Sequence, residues 1–80
     1  MNISQATLSR ISELCAGKGI TLNYLCTNSA VPQSTVNEFV HGRTQSITLN
    51  TLKKLCDGLD ISIADFFDTD TFRNLEQEIK

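Results

Sequence analysis

Residues 29–39, SAVPQSTVNEF, set a Ser-Ala-Val-Pro turn ahead of the polar residues Gln33, Ser34 and Thr35, then start an apolar beat at Val36 and Phe39 that continues to Val40. Pro32 suits the first position of a helix, because the N–H it lacks would have no partner there and its φ is already near helical. The spacing predicts a short helix over about 32–41, stopped by His41-Gly42, with Val36, Phe39 and Val40 buried. Gln33, Ser34 and Asn37 then share an outward edge.

The same three-then-four spacing extends on both sides, while the strict alternation of strands is almost absent, so the fold expected is all-α. Leu8, Ile11, Leu14 and Cys15 mark a first helix over about 6–17, closed by Gly17-Lys18-Gly19 through glycine's access to the left-handed region. Thr21 can cap a second helix carrying Leu22, Leu25 and Cys26, which breaks at Asn28-Ser29-Ala30. After a polar loop, Arg43 to Ile47, Thr48 can cap a fourth with Leu49, Leu52, Leu55, Cys56 and Leu59 on its inner face. Ser62 to Asp65 has capping-box form ahead of Phe66 and Phe67. Phe72, Leu75 and Ile79 predict a tail helix running to the C-terminus. The division expected is a domain over 1–68 and an acidic amphipathic tail over 69–80.

Eighty residues with 40% hydrophobic and 20% charged side chains are ordinary globular composition for one domain. The N-terminus has no basic start leading into an apolar run, and no segment approaches the ~18 apolar residues of a membrane span, so a cytoplasmic, non-membrane protein is expected. Cys15, Cys26 and Cys56 lack C-x-x-C spacing and have only His41 to join them; each falls on an apolar helical position and reads as a small core residue rather than a metal ligand. No metal or other cofactor is expected. The net charge of −2 hides an asymmetry: residues 1–56 hold five positive side chains against two negative, residues 57–80 two against seven.

Taken together, Thr21-x-x-x-Leu25-Cys26-x-x-x-Ala30-Val31-Pro32-x-x-Thr35-Val36-x-x-Phe39-x-x-Gly42 closely resembles the lambda-repressor-like (Cro/CI, XRE-type) helix-turn-helix family. The likeness continues through Thr48-Leu49-x-Thr51-Leu52-x-x-Leu55 to Ile61-Ser62-Ile63-x-x-Phe66-Phe67, covering about residues 8–68. It implies a compact five-helix DNA-binding domain with a short tail helix, which lays helix 3 into the major groove of double-stranded DNA and works as a homodimer repressing transcription. Gln33, Ser34 and Asn37 become candidate base contacts, with Thr35 offering a methyl to thymine or serving to cap and pack. Thr21, Asn23, Arg43, Thr44 and Gln45 become candidate backbone contacts, and His41 a phosphate contact or a helix-end residue.

Four positions depart from the family pattern. Leu22 replaces a glutamine that touches DNA in many members. Ala30 replaces the turn glycine, at a strain of about 1 kcal/mol if the position needs positive φ. Cys15 and Val40 stand where many members pair an arginine with a glutamate, so apolar packing replaces an ion pair there. Glu38 stands beside the reading edge; it would repel a phosphate unless it lies along the rim or accepts a hydrogen bond from a cytosine amino group.

The function expected is a sequence-specific DNA-binding regulator, a repressor acting as a homodimer. The alternative is a protein-interaction module of the same fold, an antitoxin or phage-type regulator acting through a protein partner. Phe72, Leu75 and Ile79 fit a dimer seam, such a partner site, or a tail folded on its own core. An enzyme is not expected: His41 is the only histidine, no Gly-rich phosphate loop exists, and the carboxylates gather on the tail.

Overall fold

The computed structural model describes residues 1–44 and 46–79, which form six helices and, among the described residues, no strand. In chain order these are α1 (Ile3–Lys18), α2 (Leu22–Asn28), α3 (Gln33–Val40), α4 (Leu49–Gly58), α5 (Ile63–Phe67) and α6 (Asp70–Arg73). Hydroxyls start most of them. Thr21, Thr48, Ser62 and Thr69 accept from the backbone N–H groups of Tyr24, Thr51, Asp65 and Phe72, satisfying donors that the first turn leaves free. α1 starts three residues earlier than its apolar stripe predicts, because Asn2 and Gln5 form a reciprocal capping box: Gln5 N–H donates to Asn2 Oδ1 at 2.8 Å and Asn2 N–H to Gln5 Oε1 at 3.0 Å.

The helix ends follow one device, repeated four times. Gly19, Ala30, Gly42 and Asp60 all have positive φ, at 66°, 55°, 74° and 59°. In each case the next residue donates its N–H back to a carbonyl five positions earlier: Ile20 to Cys15, Val31 to Cys26, Arg43 to Glu38 and Ile61 to Cys56, at 3.0, 3.1, 2.8 and 3.0 Å. This is the Schellman closure, which also brings the side chains of those two residues together. Three of the four pairs are a buried cysteine with an apolar partner, so the closures of α1, α2 and α4 also build the core.

That core is centred on Phe66, Ile11, Leu25, Leu55, Leu59 and Val36, all fully buried. α2 lies at its middle, packed against α1, α3 and α4. Gly58 permits the α2–α4 approach: a Cβ there would lie 1.9 Å from Ser29 Oγ and 3.2 Å from Leu25 Cδ1. Arg10 ties the two ends of the domain. Its Nε donates to the Phe66 carbonyl at 2.9 Å and its Nη2 to the Asp65 carbonyl at 3.0 Å, while Nη1 pairs with Glu13. Those carbonyls lie in the last turn of α5, where a cation also meets the negative end of the helix.

Two expectations are corrected. Leu49 is not on the inner face of α4 but 74% exposed; its angle matches the stripe of Leu52, Leu55, Cys56 and Leu59, yet as the first residue of α4 it overhangs the end of the core. The tail helix stops at Arg73 rather than running to the C-terminus. Eleven residues are short for a self-supporting helix, and Glu76 and Glu78 would sit unfavourably near its negative end. Instead, Glu76 N–H donates to the Met1 carbonyl at 3.4 Å and its carboxylate meets the N-terminal ammonium at 3.3 Å. Phe72 turns inward to stack edge-on with Phe67 at 4.8 Å between ring centroids, Leu75 is half-buried, and Ile79 is exposed.

Ala30 takes the left-handed conformation without the polar side chain that helps aspartate tolerate it. Ala30→Gly is therefore expected to raise stability by about 1 kcal/mol, a rise in melting temperature of roughly 4–8 °C for a domain of this size, and Asp60→Gly by less. Thermal melts of the two variants check the difference.

Candidate nucleic-acid interface

The polar edge of α3 is built by two neighbours. α2 is capped by Ser29, whose backbone is still right-handed; Ala30 then reverses the chain and Val31 N–H closes on the Cys26 carbonyl, which fixes where Pro32 launches α3. α3 has no side-chain cap; Thr35 N–H donates to the Pro32 carbonyl at 3.1 Å. Val36 and Phe39 anchor its inner face, at 0% and 5% exposure, and Val40 rests half-buried on the core.

Everything else on α3 faces outward. Gln33, Ser34, Thr35, Asn37 and Glu38 are all exposed, as is His41 just past the helix. Ser34, Asn37, Glu38 and His41 recur at three and four and so share one stripe opposite Val36 and Phe39, with Gln33 and Thr35 on its two flanks. The structure thus brings the four candidate base contacts onto one exposed helix, though not onto one line. Amide and hydroxyl groups there can both donate and accept, the chemistry that major-groove edges require.

The candidate backbone contacts fall on either side. Thr21, exposed, spends its hydroxyl oxygen on the Tyr24 N–H at 3.1 Å but keeps its own O–H to donate, and Asn23 is exposed in the first turn of α2. His41 donates its N–H to the Asn37 carbonyl at 2.9 Å and caps α3. Past left-handed Gly42, the N–H groups of Arg43 and Thr44 both reach the Glu38 carbonyl, at 2.8 and 3.3 Å. The Thr44 hydroxyl donates to the Ser46 carbonyl at 3.2 Å, holding the loop. Gln45 lies outside the described residues. Arg43 is exposed and has no ion pair among the described residues, whereas Arg10 and Lys53 are engaged with Glu13 and Asp57.

Sequence reading missed Tyr24. It is 55% exposed in the first turn of α2, on the side away from Leu25 and Cys26, and presents a ring and a hydroxyl beside Asn23. The signal was an aromatic residue off the apolar stripe. Leu22, by contrast, packs half-buried on the core, so the position that carries a glutamine in many related sequences is turned to packing here. Cys15 and Val40 likewise pack where an ion pair is common.

Comparison with known families settles what this arrangement is. The model of the Cro/C1-type helix-turn-helix DNA-binding domain matches residues 10–71, most of the chain and all of α2 to α5. The chain belongs to that family. Among solved structures, it is similar to the crystal structure of prophage Lp1 protein 11, at 32% identity and a TM-score of 0.83 over 94% of this chain and 100% of that one. A search of curated proteins finds no match. As a Cro/C1-type chain this is a DNA-binding regulator, and no helix among the described residues is long and apolar enough to cross a membrane.

In this domain the thiols are structural. Burial pushes the Cys15, Cys26 and Cys56 thiols above their ordinary 9.0, helped at Cys26 by Cys15 and at Cys56 by Asp57. A raised pKa in the folded state stabilises the fold fully below the unfolded value and less as pH rises through the folded one. The melting temperature is therefore expected to fall as pH climbs above about 9, and Cys26→Ala, which lowers the baseline by opening a cavity, should flatten that decline. Melts across pH 7 to 10.5 check both.

Proposed function

We propose that this Cro/C1-type domain reads a specific operator by inserting α3 into the major groove, and that it represses transcription as a homodimer. The observation that supports the reading is the exposed polar face of α3, set behind a closed turn and bearing Gln33, Ser34, Thr35 and Asn37. Gln33 and Asn37 can each bond an adenine edge through both amide atoms, Ser34 supplies a less selective hydroxyl, and Thr35 offers its methyl to thymine. Thr21, Asn23, His41, Arg43, Thr44 and Gln45 hold the flanking phosphates, through side chains and backbone N–H groups.

The negative net charge is no obstacle to this. Phosphate contacts draw on hydroxyls, amides and backbone N–H groups as well as cations, and Arg43 is unengaged at the edge of the reading helix. As a homodimer the protein places two such helices about 34 Å apart on a two-fold operator. Leu75 and Ile79 supply the dimer contact; Phe72 contributes from beneath, since its ring belongs to the aromatic cluster with Phe66 and Phe67. The similar structure is a prophage protein, which fits a regulator active in the cytoplasm.

A second reading keeps the fold but works through a protein partner. It is favoured by an apolar groove of about 160 Å³ near Ile3, Ile47, Leu49 and Phe67, where Leu49 and Ile3 stand exposed. Binding to random duplex at several salt concentrations separates the two: a DNA reader gives a negative slope of log affinity against log salt, a protein-only module gives none.

Gln33→Ala with Asn37→Ala is expected to remove most of the operator preference while leaving the melting temperature nearly unchanged, as both side chains are exposed. Competition binding between operator and random duplex reads this, and unchanged selectivity would remove α3 as the reading element. Arg43→Ala should weaken binding to operator and random duplex alike and reduce the salt slope by about one.

A further inference from the structure

Glu38 is the one acidic side chain on α3. It lies on the outward stripe of Ser34, Asn37 and His41, one turn beyond Ser34 and turned away from Val36. It is exposed and has no ion pair among the described residues.

The four Schellman closures say why it projects there. The residue whose carbonyl accepts the closing bond is Cys15, Cys26 and Cys56 in α1, α2 and α4, each buried against an apolar partner. In α3 alone that residue is Glu38 and the partner is Arg43, both exposed. The same backbone geometry that folds three side-chain pairs inward presents this pair on the outside. The Glu38 backbone is fixed by the N–H groups of Arg43 and Thr44 on its carbonyl, at 2.8 and 3.3 Å, so the carboxylate projects from a defined base at the end of α3.

A carboxylate only accepts. Of the major-groove edges, guanine presents O6 and N7 acceptors, thymine an O4 acceptor and a methyl, and adenine an amino donor next to the N7 acceptor; cytosine presents an amino donor with no acceptor adjoining it on its own edge. We propose that Glu38 is a specificity-determining residue that accepts a hydrogen bond from a cytosine amino group and, by repulsion, rejects guanine and thymine at that position. The proposal rests on α3 docking in the major groove and adds to that reading the one position at which selection works by exclusion.

Selection of bound sites from random duplex, run on the native protein, Glu38→Ala and Glu38→Gln, tests it. The native protein is expected to select cytosine at one position of each half-site. Glu38→Ala should lower that preference by roughly tenfold and leave every other position unchanged; Glu38→Gln should move the same position toward adenine, which an amide can bond twice. If both variants bind all sequences more tightly with every base preference intact, Glu38 is a repulsive bystander and the proposal is overturned while α3 docking stands. If the native protein selects no base at any position, docking of α3 fails and the proposal with it. Both substitutions leave the backbone closure in place, and matching melting curves verify that the variants are folded.

Discussion

The fold depends on a backbone constraint more than on any side-chain contact: four residues must enter the left-handed region so that four helices can stop within one residue. Gly19, Ala30, Gly42 and Asp60 do this, and each reversal is locked by an N–H reaching back five residues. A helix with no such stop ends with free carbonyls and an indefinite exit direction. Here the exit direction of α2 fixes α3, and that of α3 fixes the loop at Arg43. Coupling these stops to buried cysteines lets local closure and global core formation stabilise each other, the consistency that a funnelled sequence shows.

Much of this was legible. Hydroxyls at Thr21, Thr48 and Ser62 before apolar stripes marked helix starts because an N-cap has a local chemical signature. Pro32 and Gly42 bracketed α3, and the outward placement of Gln33, Ser34 and Asn37 followed from the period of a helix. The left-handed need at Ala30 came through the family pattern; Asp60 gave no comparable signal, since aspartate is equally at home as a cap or on a surface. Periodicity gives the angle of a side chain but not its depth along the axis, which is why Leu49 read as core. It also cannot weigh a short stripe against the carboxylates beside it, as with Leu75 and Ile79. Arg10 was beyond reach: its acceptors are main-chain carbonyls, which carry no residue identity.

The charge asymmetry between the two parts of the chain acquires a structural meaning once the partners are known. Asp57 is paired with Lys53, Asp68 and Asp70 with Arg73, and Glu76 with the N-terminal ammonium. Such exposed pairs stabilise little individually, but they offset part of the acidic charge locally. The field at α3 is then shaped by its nearest charges, Glu38 and Arg43, more than by the net charge of the chain.

The Arg10 clasp also bears on the order in which the molecule assembles. The stops of α1 to α4 are each closed by a bond spanning five residues, whereas the bond from Arg10 to the Phe66 carbonyl spans 56. Closing so long a loop is entropically slow relative to local turns, so it follows the formation of the helices it joins. The helix-turn-helix unit is therefore made of parts that form early and locally, while Phe66, at the centre of the core, and the Arg10 clasp around it join α5 to the rest through contacts distant in sequence.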